Sequence, residues 1–266
     1  MEKLDELLSL AKRAAQAGAD VHRARKVEAS TIGSKSFAND LVTEIDRESE
    51  RRMVDIIHAA RPHDAIIGEE GASLNTGASV CWILDPLDGT TNFIHRYPAH
   101  SVSVGVEIQG QRALGVVHDT FQNLVYEGIV GVHARCDGQP IAARDESQLS
   151  KALIGTGFLA DPDVRRAQAK VLHAVLPEIR DLRRSGCPSL DLCGVAAGRL
   201  DGFYESGLGR WDIAGGAAIA EAAGATVLEL PSGILPSPLL VAANPLLLEA
   251  LVNMLLKAVA IATAAS

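Results

Sequence analysis

The chain is short of most features that would assign it to a specialised class. Its four cysteines, Cys81, Cys136, Cys187 and Cys193, are far apart with no CxxC pair. That spacing suggests neither a zinc site nor a disulfide framework, and it fits a reducing cytoplasm. Positive charge is in deficit: 25 Lys and Arg stand against 33 Asp and Glu, a net charge of −8. A nucleic-acid backbone is therefore not expected as the main ligand, and a phosphate substrate would have to be held through metal. The N-terminus, Met-Glu-Lys-Leu-Asp-Glu, has neither a basic n-region nor an apolar h-region, so no secretory signal is read and a cytoplasmic location is expected. No repeat or low-complexity segment is evident. The one membrane suspect, residues 245–265, is interrupted by Glu249, Asn253 and Lys257 at four-residue spacing. Those three share one helical face, which predicts a packed amphipathic helix and no membrane contact.

What is present is a large apolar fraction, 47% of 266 residues, enough for a substantial core as one domain or two closely packed halves. The organising stretch is Trp82-Ile83-Leu84-Asp85-Pro86-Leu87-Asp88-Gly89-Thr90-Thr91-Asn92-Phe93. It reads as a buried strand over 80–84, an acidic turn, then a helix start. A charge at the exit of a buried strand is costly unless paired or coordinated, so Asp85 asks for a cation. Pro86 and Gly89 allow the turn to aim Asp85, Asp88 and the Leu87 carbonyl at one point. Hard oxygen ligands of this kind suit Mg²⁺. Gly89, Thr90 and Thr91 then offer backbone N–H groups and hydroxyls at a helix N-terminus, where phosphate is favoured. Taken alone, Asp-Pro and Asp-Gly are also ordinary turn formers. An EF-hand loop is excluded, because the twelfth position from Asp85 is Arg96.

Two other segments weigh against a plain turn. Ile66-Ile67-Gly68-Glu69-Glu70 upstream and Trp211-Asp212-Ile213-Ala214-Gly215-Gly216 downstream each join an apolar approach to carboxylate and glycine. In this order and spacing, GEE, DPLDGTTNF and WDIAGG resemble the inositol monophosphatase family of Mg²⁺-dependent, lithium-sensitive phosphatases over nearly the whole chain.

The residue pattern predicts an amphipathic helix to about His22, a polar loop over 30–39, and a second helix with Ile45, Met53, Ile56 and Ile57 facing inward. Alternating apolar positions over 101–108, 113–118 and 124–128 predict an antiparallel meander. From Lys151 the rhythm becomes α/β. The expected division is an α+β subdomain over 1–145 and an α/β subdomain over 146–266, the boundary lying near 145–150. The resemblance implies a layered αβαβα sandwich of the inositol monophosphatase and fructose-1,6-bisphosphatase type, and a homodimer.

Carried over residue by residue, the resemblance implies that Glu69, Asp85 and the Leu87 carbonyl hold one Mg²⁺, and that Asp85, Asp88 and Asp212 hold another. A third cation would share Glu69. It places Asp46 beside Thr90, with Glu69, as the group that readies a water nucleophile, and Gly89, Thr90, Asp212 and Glu205 around the substrate. Lys35 matches a lysine of the family's mobile loop. Two cations roughly 3.5 to 4 Å apart can activate water and neutralise a leaving alkoxide. The chain departs from the family at Gly186-Cys187-Pro188-Ser189, where Pro188 lacks a backbone N–H. The substrate implied is a small phosphate ester, first inositol 1-phosphate, with fructose bisphosphate, histidinol phosphate and nucleotide 3′-phosphates left open. Some relatives bind the transcription machinery, so a non-catalytic binding role on the same scaffold stands as the alternative of another class. The full set of expected carboxylates favours the enzyme.

Overall fold

The computed structural model describes residues 2–24, 32–34 and 41–264. Helix α1 (Glu2–Ala24) is followed by a small hairpin of β1 (Ile32–Ser34) and β2 (Leu41–Thr43), then by α2 (Glu44–Ala60). The next strands are β3 (Ala65–Gly68), β4 (Ser73–Leu74) and β5 (Val80–Asp88), followed by the short α3 (Thr90–Ile94). The meander comprises β6 (Ser101–Ile108), β7 (Gln111–Asp119), β8 (Leu124–Ile129), β9 (His133–Cys136) and β10 (Gln139–Pro140). Together β3 to β10 form one eight-stranded sheet in the order β10-β9-β8-β7-β6-β5-β3-β4, antiparallel except for the parallel β3–β5 pair.

The remaining chain gives β11 (Leu153–Thr156), α4 (Pro162–Val175), β12 (Asp181–Arg183), α5 (Pro188–Ala196), β13 (Gly202–Ser206), α6 (Arg210–Ala222), β14 (Thr226–Leu230), β15 (Leu239–Ala243) and α7 (Pro245–Ala264). Its five strands form a mixed sheet in the order β12-β11-β13-β15-β14. The α/β reading of this half holds for β11 to β13. It gives way at β15, which runs antiparallel to both β13 and β14.

Apolar cores fill the spaces between five layers. Helices α1 and α2 cover one face of the large sheet through Leu7, Ala11, Ala14, Met53 and Ile57 against Trp82, Val104 and Val116. On the other face α5 and α6 are sandwiched between the two sheets, with Leu192, Ile213, Ala217, Phe203 and Leu240 in one core. The outer layer is α4 with α7, whose buried positions Leu247, Leu251, Met254, Leu255 and Ala258 recur at three- and four-residue spacing. By length and composition α7 could cross a membrane. In this structure its stripe packs on the second sheet, and Glu249, Asn253 and Lys257 face outward. The architecture is the αβαβα layering that the resemblance implied.

The middle layer can be thin because of three glycines. Gly105, Gly115 and Gly128 lie opposite one another in β6, β7 and β8. A Cβ at Gly115 would come within 2.1 Å of the Gly215 carbonyl oxygen, and one at Gly105 within 2.5 Å of Ala214 Cβ. The three glycines therefore form a groove in which the α6 backbone rests directly on the sheet.

Candidate metal and substrate site

The acidic motif is not a free turn. Strand β5 runs through it to Asp88, with Asp85 opposite Ser103, Asp88 opposite Ser101, and a shift of register between them. In a regular strand, side chains three apart point to opposite faces. The irregularity re-aims them, as bulges beside functional sites commonly do, so Asp85 and Asp88 join one cluster. Asp212 enters from the first turn of α6, where its Oδ2 accepts the Gly209 N–H at 2.6 Å. One carboxylate oxygen from each of the three lies within 4.8 Å of the others.

The hydrogen bonding of this cluster is incomplete in a particular way. Asp85 Oδ1 accepts the Leu87 N–H at 3.0 Å, whereas its fully buried Oδ2 has no hydrogen-bond partner among the described residues. Asp88 Oδ2 accepts the Ser189 N–H at 2.8 Å and the Cys187 thiol at 3.0 Å. Burial, reinforced by the charges of Glu69, Asp88 and Asp212, pushes the Asp85 carboxyl well above the usual range. Burial also raises Asp88 to about 6. An orphaned buried oxygen amid converging carboxylates is the donor set a hard divalent cation satisfies, and an apolar site with such charges is costly otherwise. The residues present fit Mg²⁺.

Glu69 follows β3 beside this trio, its N–H donating to the Leu84 carbonyl at 3.2 Å. It is not one of the three converging acids, and it acts on Asp85 as the strongest neighbouring charge. Thr90 opens α3, and its hydroxyl donates to the Leu87 carbonyl at 3.0 Å. A hydroxyl has one proton, so donation to Asp46, which is buried in the first turn of α2, requires the Thr90 hydroxyl to turn. Gly89 adopts φ 85°, and a Cβ there would meet the Ala99 carbonyl oxygen at 2.7 Å, so both conformation and space demand glycine.

Above the acids opens a cavity of about 930 Å³ whose lining includes Gly89, Thr90, Asp212, Glu205, Pro188 and Arg184. Glu205 sits at the end of β13, 7% exposed, in space left by Gly157, where a Cβ would fall 2.1 Å from Glu205 Oε2. No hydrogen-bond donor reaches its carboxylate among the described residues, and burial, then the nearby Asp191 and Asp212, pushes it well above the usual carboxylate range. Pro188 occupies the first helical position of α5, where an N–H would have no helical partner, and the next N–H, that of Ser189, is committed to Asp88. The Gly-Cys-Pro-Ser departure therefore supports the Asp88 carboxylate of the acidic cluster as well as shaping the cavity wall. Lys35 lies outside the described residues.

The model of the inositol monophosphatase family matches residues 3–261. The chain is a member of the inositol monophosphatase family. It is 41% identical over 206 residues to the inositol-1-monophosphatase SuhB of Mycobacterium tuberculosis, covering 74% of this chain and 71% of that one. It is 33% identical over 258 residues to the Nus factor SuhB of Pasteurella multocida, covering 94% and 96%. Among solved structures, the inositol monophosphatase of Anabaena superposes with a TM-score of 0.83 at 32% identity, covering 96% of this chain and 97% of the other. Family membership supports a phosphatase acting on a small phosphate ester.

Some residues that hold this family site escaped the sequence reading. Glu50, a charged residue of α2, is 6% exposed and accepts the N–H groups of Glu70 and Ala72 at 2.9 and 3.0 Å, so it fixes the Glu69–Glu70 turn. His22 donates from Nε2 to the Pro86 carbonyl at 2.9 Å, and Ser49 donates to the same oxygen at 3.1 Å. Since that carbonyl can only accept, the neutral His22 carries its proton on Nε2, and burial lowers its pKa to about 3. A signal for His22 was available: it continues the inward spacing of Ala11, Ala14, Ala15 and Gly18 on α1.

Proposed function

We propose that the chain is a Mg²⁺-dependent phosphomonoesterase for small polyol phosphates, of which inositol 1-phosphate is the first candidate. One observation carries the reading: the buried Oδ2 of Asp85 has no hydrogen-bond partner among the described residues and belongs to a three-carboxylate cluster, one member of which, Asp212, lines a substrate-sized cavity. Asp85, Asp88, Asp212 and the neighbouring Glu69 would hold the cations, with the Leu87 carbonyl as a further oxygen. Bound there, Mg²⁺ supplies water activation and stabilises the charge of the departing alkoxide. The chain's own residues do the rest. Gly89 and Thr90 border the phosphoryl position, and Asp46 and Thr90 orient the attacking water. Glu205, whose carboxylate no donor reaches among the described residues, receives the hydroxyls of a polyol. Sugar bisphosphates and nucleotide phosphates are the alternatives within the same chemistry, and the homodimer belongs to this reading.

The test is phosphate release from inositol 1-phosphate with and without Mg²⁺, comparing wild type with Asp85→Asn. The variant is expected to lose roughly a thousandfold or more in kcat/KM, because several kcal/mol of transition-state stabilisation depends on the shared ligand. Turnover by the variant near the wild-type rate at ordinary Mg²⁺ refutes the assignment. The Nus factor named among the relatives favours a second reading, a protein-binding role in transcription. Co-purification of RNA polymerase or Nus proteins with Asp85→Asn, together with absence of phosphatase activity in the wild type, would favour it.

A further inference from the structure

The acidic segment is also gripped from the helix layer behind it. Pairing of β5 with β6 stops at Asp85 and resumes at Asp88, so the peptide between Pro86 and Leu87 stands outside the ladder. Both of its ends are nevertheless held. Its carbonyl oxygen accepts from His22 Nε2 of α1 at 2.9 Å and from Ser49 of α2 at 3.1 Å, and its N–H donates to Asp85 Oδ1 at 3.0 Å. A peptide is one planar unit, so whatever fixes the Pro86 oxygen also aims the Leu87 N–H at Asp85.

Behind His22 the hydrogen bonding continues. Thr120 Oγ1, just after β7, lies 3.1 Å from His22 Nδ1 and 2.7 Å from the Nδ1 of His100, which just precedes β6. The Thr120 N–H donates to the His100 carbonyl at 3.1 Å and ties the two residues together. Both histidines are buried, and Phe93 of α3 packs against each, with ring centroids 5.3 Å from His22 and 5.1 Å from His100.

Proton counting sets the direction of this chain. The Pro86 oxygen can only accept, so neutral His22 has its proton on Nε2 and a bare lone pair at Nδ1. Among the described residues, the Thr120 hydroxyl is the group that reaches that lone pair. The hydroxyl could instead donate to His100 Nδ1 or, at 3.3 Å, to the His100 carbonyl. Either choice would set its oxygen lone pairs against that of His22 in a buried site, where an unmade bond is costly. With its proton given to His22, the Thr120 oxygen accepts from His100, whose proton is then on Nδ1. Every bond thus donates toward Asp85, and hydrogen bonds aligned in this way polarise one another.

We propose that His100, Thr120 and His22 form a one-way hydrogen-bond relay and are positioning residues for Asp85, which they orient through the Pro86–Leu87 peptide so that its unpartnered Oδ2 is presented to the cation. This deepens the reading of the acids as Mg²⁺ ligands and rests on it. None of the three residues lines the cavity, so their effect is on the cation, through Asp85, and not on the ester.

Nitrogen-15 NMR of histidine-labelled, metal-free wild type reads the relay without activity and without a variant. The expected result is a proton on Nε2 at His22 and on Nδ1 at His100, with Thr120→Val releasing His100 to a mixture of tautomers. Calorimetric titration with Mg²⁺ reads the positioning. His22→Phe and Thr120→Val should weaken Mg²⁺ binding by about 10-fold or more, and Thr120→Ser, which keeps the hydroxyl, should stay within about twofold of wild type. Release of phosphate from inositol 1-phosphate by the two disruptive variants should recover at high Mg²⁺, which a general loss of packing would not allow. A proton on Nδ1 of His22 or on Nε2 of His100 in the wild type overturns the proposal. So does Mg²⁺ affinity unmoved in both disruptive variants, and that outcome leaves the acids standing as ligands. A wild type that binds no Mg²⁺ overturns the metal reading, and the positioning role falls with it even where both tautomers are as assigned.

Discussion

Replacing Asp88 by Asn should stabilise the metal-free protein while abolishing its response to Mg²⁺. The amide oxygen can still accept the Ser189 N–H and the Cys187 thiol that Asp88 Oδ2 now accepts, so the change removes charge and keeps those two bonds. Asp88 has its folded-state pKa raised from 3.8 to about 6, chiefly by burial. Between those values the folded state binds more protons than the unfolded one, so the contribution of Asp88 to stability falls as pH rises through the window, and the penalty is fully present above about pH 6. At 1.36 kcal/mol per pKa unit the penalty is about 3 kcal/mol, or on the order of 5–10 °C in Tm for a chain of this size. His22 works in the opposite sense. Its folded pKa of about 3, against 6.5, makes the unfolded state bind the extra proton, so that contribution is lost as pH falls below 6.5. The two windows overlap, and the difference between variant and wild type isolates Asp88. Thermal unfolding in EDTA at pH 4 and pH 8 should therefore show a gap that is small in acid and opens in favour of Asp88→Asn at pH 8. Adding Mg²⁺ should raise the wild-type Tm by mass action and leave the variant nearly unmoved. A variant less stable than wild type in EDTA at pH 8, or a gap independent of pH, refutes the reasoning.

Two further outcomes are expected. Gly115→Ala should cost about 3 kcal/mol or more, because the new methyl would press against the Gly215 carbonyl, which cannot yield without moving α6; the urea midpoint measures it. Thr90→Ala should lower kcat with little change in KM, and a rise in KM alone would show that the hydroxyl serves substrate binding instead.

Much of the fold was legible because its signals are local. The period-2 alternation of 101–128 and the buried stripe of α1 need no knowledge of the rest of the chain, and β6, β7, β8 and α1 follow them. The candidate carboxylates were legible for a different reason: Glu69 and Asp85 stand at the end of apolar runs, where an unpaired charge makes no sense, and Asp88 and Asp212 belong to the same family-like motifs. The supporting groups were not, because what identifies them is contact across long separations. Glu50 looks like any charged helix residue until Gly68 leaves room for its carboxylate against the Glu69–Glu70 turn. The acidic turn was misread as a turn because nothing in Asp-Pro-Leu-Asp reveals that β6 stays paired on both sides of it. At Pro188 the sequence showed a missing donor but could not show that the adjacent N–H was already engaged by Asp88.

The glycine groove beneath α6 makes that helix a lever. Asp212 rides on its first turn, while Gly128 of β8 meets Ile219 and Ala222 near its far end, where a Cβ would fall 2.9 Å from Ala222 Cβ and 3.0 Å from Ile219 Cα. At 1.5 Å per residue these points are roughly 10–15 Å apart along the axis. A methyl group at position 128 would lift one end of a rigid rod whose other end carries Asp212 of the acidic cluster. On the proposed reading of the acids as cation ligands, positions with no side chain and no place near the cavity would share control of cation affinity. Variants in this groove should lose Mg²⁺ binding in proportion to the tilt they impose, and directed evolution of the active site should find its compensating changes in β6, β7 and β8.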